Sequence, residues 1–390
     1  MTTDTKDFSR TSFEFTGRAG EYFGIWIVNI ILTILTLGIY SAWAKVRTHQ
    51  YFYGNTLLEG SAFQYLAKPM QILKSRLIAA AIFSVYYSIS NIYPVLGMGL
   101  LIFIFLLVPA IVVLSMSFRM RNTAHRNVTF DFDRNFKRAY LIFAGPIIAI
   151  TLLFIAAIFT EISNAELITE AEQLKEDPSS TMPFAMLGVM LLFIFTFPLW
   201  EYLQTQFLVD HTKYGTSPFK LKARASTFYK FYIMAIITFI ATGALFGMLV
   251  AAVLTLGFSF DVEENPALMS MIIAGCIFPI YLWMFTYIQT KKANLIYNQT
   301  LLDPESSAST FESKLTVTYM FFLYLTNTLA IILSFGLLIP WTMIRTARYR
   351  AKTITLLSQI SLDSFAADQQ KKVGAFGEEF GEMFDIEVGI

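Results

Sequence analysis

The sequence predicts an all-α polytopic membrane protein: six transmembrane helices, two duplicated re-entrant helical hairpins, and short cytoplasmic β-hairpins. Three observations predict it. Hydrophobic residues make up 55% of the 390 positions and charged residues only 15%, where a soluble domain carries about a quarter charged. Basic and acidic loops alternate between long apolar runs. The two ends of the chain repeat each other at a fixed offset. A disordered chain, a disulfide-rich scaffold and an ordinary soluble enzyme are excluded by this composition. Cys276 stands alone and cannot close an internal disulfide, and three histidines leave little for a metal site.

Residues 1–21 are polar and mixed in charge. A signal peptide needs a basic start followed at once by an apolar stretch. Here the apolar stretch begins near Tyr22 with no small-residue cleavage site after it, so the first hydrophobic segment is expected to stay in the mature protein. A membrane span needs roughly 20 mostly apolar residues. Six runs qualify: 77–93, 95–118, 139–161, 183–209, 229–258 and 268–290. Segments 22–44 and 319–344 are apolar but interrupted.

Cytoplasmic loops carry the Lys and Arg. The stretches 45–76, 119–138, 210–230 and 291–317 are basic, as is the run Arg345, Arg348, Arg350, Lys352. The loops 161–182 and 259–267 are acidic. The six central spans obey the alternation, and both termini are assigned to the cytoplasm. Segment 319–344 is then basic on both sides and cannot cross; it should dip in and return.

Segment 22–44 is its copy. At an offset of 298, Asn29 matches Asn327, Gly38 matches Gly336, Trp43 matches Trp341, Arg47-Thr48 matches Arg345-Thr346 and Tyr51 matches Tyr349. From Tyr22 to Thr36 a helix rises roughly 22 Å, short of the roughly 30 Å hydrocarbon core. Gly38 can then turn the chain, and a second helix returns, with Trp43 at headgroup level. The alternative is a full crossing by 22–44 with the N-terminus outside. Short apolar–polar alternations precede the membrane segments: Phe13-Glu14-Phe15, Phe63-Gln64-Tyr65, Phe130-Asp131-Phe132, Phe219-Lys220-Leu221 and Phe311-Glu312. Turn-prone stretches at 54–56, 122–123, 214–216 and 298–300 precede the later four, which read as β-hairpins. The tail is acidic, helical around Asp363–Lys372, with a last strand at 384–390. The segments are 1–21, a hairpin at 22–53, a β-hairpin at 54–76, the core at 77–290, a β-hairpin at 291–318, a second helical hairpin at 319–352, and the tail at 353–390.

No phosphate loop, nucleophile elbow, zinc motif or cysteine pair occurs, so neither an enzyme nor a cofactor is expected. Lipid headgroups and topology explain the basic loops better than nucleic acid does. Glu201 is the ionisable residue inside a span, and such residues are costly and mostly functional. Asn29 and Asn327 must find hydrogen-bond partners in an apolar surround. Substrate or pore contacts are therefore placed at Asn29, Asn327, Gly38, Gly336, Glu201, Arg47 and Arg345, with Trp43 and Trp341 as interface anchors.

The run Phe13-x-Phe15-x-Gly17, then Leu35 to Gly38, Tyr40, Trp43 and Arg47, then Asn55-Thr56, resembles the YjgN-like family of bacterial inner-membrane proteins. The resemblance covers nearly the whole chain. It implies a Gram-negative inner membrane and a domain of unknown function, and it supplies no catalytic residues. The functional expectation is a transporter or channel for an anionic or lipid-like solute between the paired hairpins, with phospholipid and an anionic solute as partners. A scaffold acting through the cytoplasmic hairpins and tail is the alternative. No protein partner can be named.

Overall fold

A computed structural model describes residues 9–146, 148–149, 151–153, 155–156, 159, 182–255, 266–304, 309–359 and 361–372. Its organising element is a closed antiparallel barrel of ten strands, each beside its sequence neighbours, with the first paired to the last. This overturns the all-α expectation. The aromatic alternations do form strands, but they pair in one continuous ring instead of capping the membrane as separate hairpins. Closure leaves no free strand edge.

Strand β1 (Ser9–Phe15) leads into α1 (Ala19–Leu35), α2 (Ser41–Gly54) and β2 (Thr56–Leu58). The same order recurs as β3 (Ser61–Tyr65), α3 (Pro69–Ile92), α4 (Pro94–Arg121) and β4 (Thr123–His125). A third unit holds β5 (Val128–Phe132), α5 (Phe136–Phe143), α6 (Met182–Asp210) and β6 (Thr212–Tyr214). A fourth holds β7 (Ser217–Leu221), α7 (Ala225–Thr255), α8 (Pro266–Asn298) and β8 (Thr300–Leu302). A fifth holds β9 (Ser309–Ser313), α9 (Val317–Leu333), α10 (Ile339–Thr353) and β10 (Ile354–Ser358). A last helix, α11, covers 362–372. The likeness between the chain's ends is thus the outer pair of a fivefold strand–helix–helix–strand series.

Two local rules make the series. Each strand-to-helix step buries the strand's last residue and the residue seven positions on: Phe15 and Tyr22, Tyr65 and Ile72, Phe132 and Ala139, Leu221 and Phe228, Ser313 and Met320. The second residue of each pair lies on the first turn of its helix, so each first helix is anchored by a buried side chain where it leaves the barrel. Each helix-to-strand step carries a threonine whose hydroxyl donates to the carbonyl four residues back. These are Thr56 to Phe52 (2.8 Å), Thr123 to Arg119 (2.9 Å), Thr212 to Leu208 (2.8 Å), Thr300 to Ile296 (2.7 Å) and Thr353 to Tyr349 (3.0 Å). The bond satisfies a carbonyl that the ending helix leaves orphaned. The stretches 54–56, 122–123 and 298–300 are therefore helix–strand junctions. The tight turns lie later, at Glu59-Gly60 and Arg126-Asn127, with both central residues at positive φ as a primed hairpin turn requires.

Strand β1 closes the ring, with Ser9–Ser12 on β10 and Phe13–Phe15 on β2. The helices close a second ring: each packs on the next, and α10 packs back on α1. Among the described residues four helices are long and apolar enough to cross a membrane: Pro69–Ile92, Pro94–Arg121, Leu187–Asp210 and Ala225–Met248. The six-span count is corrected to these four. Most of the 139–161 run and the acidic loops at 161–182 and 259–267 lie outside the described residues, as do the side chain of Cys276 and the strand expected at 384–390.

Candidate functional site: an axial chamber and a basic lateral cavity

Phe13, Phe63, Phe130, Phe219 and Phe311 come from alternate strands, which do not pair with one another. Their rings nevertheless meet: Phe13 and Phe63 at 6.1 Å, Phe130 and Phe219 at 6.4 Å, Phe219 and Phe311 at 6.4 Å between centroids. Contacts between strands two apart in the ring match side chains that converge on the barrel lumen. Helix α11 lies over the same lumen. Its Leu362 packs with Phe13, Phe63 and Phe311, and its Phe365 and Ala366 pack with Phe130 and Phe219. Gln369 locks it down: its Oε1 accepts from the Thr216 amide and hydroxyl (2.8 Å each), and its Nε2 donates to Ser217 Oγ (3.0 Å). Arg126 bridges Asp363 on this helix and Glu59.

On the helix side of the phenylalanines is a chamber of about 360 Å³, lined by Phe13, Phe63, Tyr53, Tyr297 and Arg350 among others. Tyr53, Tyr297 and Arg350 each stand three residues before a junction threonine, so the repeat places them on one ring. Burial pushes the Tyr297 phenol above its ordinary pKa, while Arg350 and Arg119 pull it back. Both guanidinium groups therefore reach the field of the chamber.

A larger cavity of about 1110 Å³ opens sideways between α2, α3 and α4 and shares Tyr53 with the chamber. Its lining holds Lys45, Arg76, Arg119, Arg121 and Arg134 and not one carboxylate. Arg121 is paired with Asp131 at 2.7 Å, and Arg134 donates to Ser117 Oγ at 3.0 Å. Burial works against the charge of Asp131, yet the bond from Arg121, a backbone amide and nearby cations hold its carboxyl below the ordinary value. His49 sits at the cavity wall. Burial first, then Lys45 and Arg119, hold its imidazole below the usual pKa.

The residues chosen from sequence fare unevenly. Gly38 (φ +92°) and Gly336 (φ +89°) turn their hairpins, each after a left-handed non-glycine residue, Leu37 or Phe335. Those two side chains are 94% and 97% exposed, so the tips are apolar and bare. Asn327 is satisfied: its Nδ2 donates to Thr346 Oγ1 (3.1 Å) and its Oδ1 accepts from Arg345 (3.2 Å). Asn29 is not. Its Nδ2 reaches only Ala44 O at 3.5 Å, and its Oδ1 has no partner although the residue is 5% exposed. Arg47 bonds Tyr40 instead (2.8 Å). Among the described residues no hydrogen bond joins the two asparagines. Trp43 stacks on Tyr40, and Arg345 lies 5.2 Å over the Trp341 ring. Glu201 is not free and does not line the chamber. It accepts from Lys292 and from the Tyr232 hydroxyl.

Sequence reasoning missed Lys292, read as a loop charge although it lies on α8, and the convergence of Lys45, Arg76, Arg119 and Arg134. Aligning all five junction threonines would have found Tyr53, Tyr297 and Arg350. No group of three or more His, Cys, Asp and Glu fit to hold a metal occurs among the described residues.

The family described as "Bacterial protein of unknown function (DUF898)" matches residues 10–383. A relative from Salmonella typhimurium, "Inner membrane protein YjgN", is 26% identical over 94% of this chain and 93% of its own length. Its namesake from Escherichia coli K12 is 24% identical over 91% of this chain and 90% of its own. No solved structure matches the chain.

Proposed function

We propose that this chain, which belongs to the DUF898 family of bacterial proteins, is an integral inner-membrane protein that conducts an anionic or lipid-like solute along the axis of its two closed rings. The observation that carries the reading is the chamber between those rings, with Arg350 in its lining and no carboxylate there. A lining of one sign concentrates counter-ions of the opposite sign. Membrane residence is supported by the four apolar helices and by the relatives' name. The bare Leu37 and Phe335 tips support re-entry of both short helix pairs, because water would penalise them and hydrocarbon would not. The basic clusters at the barrel end support a cytoplasmic barrel. In this conformation the phenylalanines and α11 close the path.

The scaffold alternative would need contacts other than strand addition to the barrel. A closed barrel has no edge for a partner strand, and α11 is docked on its own chain. The test is a planar bilayer holding the purified full-length protein under a KCl gradient. Replacing Phe219 and Phe311 together by Ala should raise conductance several-fold, with a reversal potential on the chloride side. Silent bilayers for both proteins, or a cation-selective current, would overturn the reading.

A further inference from the structure

We infer that the lateral cavity between α2, α3 and α4 is a binding site for a phosphate diester, filled by the headgroup of an anionic phospholipid. The inference stands apart from conduction along the axis, since it concerns a side opening and needs no solute to pass.

Its first support is charge. Five cationic side chains line about 1110 Å³ without a carboxylate. Arg121 is neutralised by Asp131. The side chains of Lys45 and Arg119 form no ion pair or hydrogen bond among the described residues. Cations gathered so closely repel one another, and an oxyanion between them removes that cost. His49 registers their field: both Lys45 and Arg119 oppose its protonation.

Its second support is polarity along the cavity. Arg119, Arg121 and Arg134 lie at the barrel end and Arg76 about 10 Å along α3, while Ile111 and Leu114 line the cavity about 12 Å and 7 Å further along α4. Both of these are about half exposed on a helix fit to cross a membrane. A cationic end joined to an apolar wall matches a headgroup joined to its acyl chains, which free phosphate would leave half empty.

Its third support is Asn29. It lines a neighbouring cleft of about 400 Å³ that shares Lys45 and His49 with the cavity. Its buried Oδ1 lacks a donor. Buried polar atoms are rarely left so, and a glycerol hydroxyl on the headgroup supplies what is missing. The equivalent Asn327 is closed off by Thr346 and Arg345, so the opening is particular to the first unit.

The test uses full-length protein in nanodiscs made of phosphatidylethanolamine with a minor fraction of phosphatidylglycerol. Native mass spectrometry after release counts the lipids retained, and thermal shift follows added phosphatidylglycerol or inorganic phosphate. Wild type should retain phosphatidylglycerol over phosphatidylethanolamine. Lys45→Ala with Arg119→Ala should lower that preference at least ten-fold. Arg119→Lys, which keeps the charge, should retain most of it and guards against a folding artefact. Stabilisation by inorganic phosphate with no lipid preference would assign the phosphate site to the free ion. Equal retention of both lipids with no phosphate effect, or a preference untouched by the double substitution, would overturn the site.

Discussion

Replacing Gly215 by Ala should undock α11 from the barrel. Gly215 has φ +59° in the turn between β6 and β7. A Cβ there would stand 2.8 Å from Gln369 Oε1 and 3.1 Å from both Gln369 Cβ and Val128 Cγ1. Gln369 is fully buried and cannot swing into open space. Moving it breaks three hydrogen bonds, two from Thr216 and one to Ser217. At about 0.5–1.5 kcal/mol each, with about 1–2 kcal/mol of left-handed strain, the change costs roughly 3–6 kcal/mol. Gly60→Ala is the control: φ is +71° and nothing lies within 4 Å of the new Cβ, so only the strain remains. Trypsin cleavage after Lys371 and Lys372 reports the undocked population when opening is fast. Only the hydrogen-bond share, about 1.5–4.5 kcal/mol, separates docked from undocked states, so Gly215→Ala should accelerate it about ten-fold or more, since each 1.4 kcal/mol is ten-fold, and Gly60→Ala should leave it nearly unchanged. Equal acceleration by both variants, or none by either, would show that Gln369 does not hold the helix.

Gly38→Val and Gly336→Val should each cost about 1–3 kcal/mol, because both glycines hold φ near +90° and a Cβ at either would meet nothing closer than 3.6 Å; unequal losses of folded yield on heating in detergent would break the equivalence of the two hairpins. Glu201→Leu should destabilise the protein by stranding Lys292, and adding Lys292→Met should recover most of the loss, as measured by thermal unfolding; the third-exposed ammonium keeps the effect at the small end of a buried pair, about 1–3 kcal/mol. His125 is buried and held below its ordinary pKa, by burial first and then by Arg126, so the folded state binds fewer protons than the unfolded one. Stability should therefore be full above about pH 6.5 and fall as pH drops below it. His125→Phe should flatten that slope in a pH series of melting temperatures.

The apolar runs, the end-to-end likeness and the aromatic strands were all legible because each rests on a local period. The barrel was not, for a physical reason. Its strands are three to seven residues long, and closure depends on pairing Ser9 with Ser358, a contact across nearly the whole chain that no periodicity announces. The recurring strands invited a reading as separate hairpins because a tight turn is visible in sequence and a ring is not. Asn29 and Asn327 were found by their matched positions, yet the match concealed their difference. One is saturated by Thr346 and Arg345, the other is not, although Thr48 and Arg47 stand at the same offsets. Lys292 was lost to a boundary: α8 runs on to Asn298, so a charge assigned to a loop faces Glu201 inside the helical ring.

A scaffold built from five similar units gives its departures from similarity a meaning that a single domain's irregularities lack. The junction threonine and the buried pair seven residues apart hold in every unit, so they answer to folding alone. Cations do not follow that rule. At the position three before the threonine, units one and four carry Tyr53 and Tyr297, unit five carries Arg350, and units two and three carry Met120 and Val209. Arg119 and Arg121 flank Met120 on α4, and Arg134 follows β5 where the other units place a Gly, Ala or Leu: Gly17, Ala67, Ala223 and Leu315. The excess charge therefore gathers on one flank of the ring, beside the one asparagine left unsatisfied. Folding five units into a closed ring does not require that asymmetry, and an anion recognised from the side does.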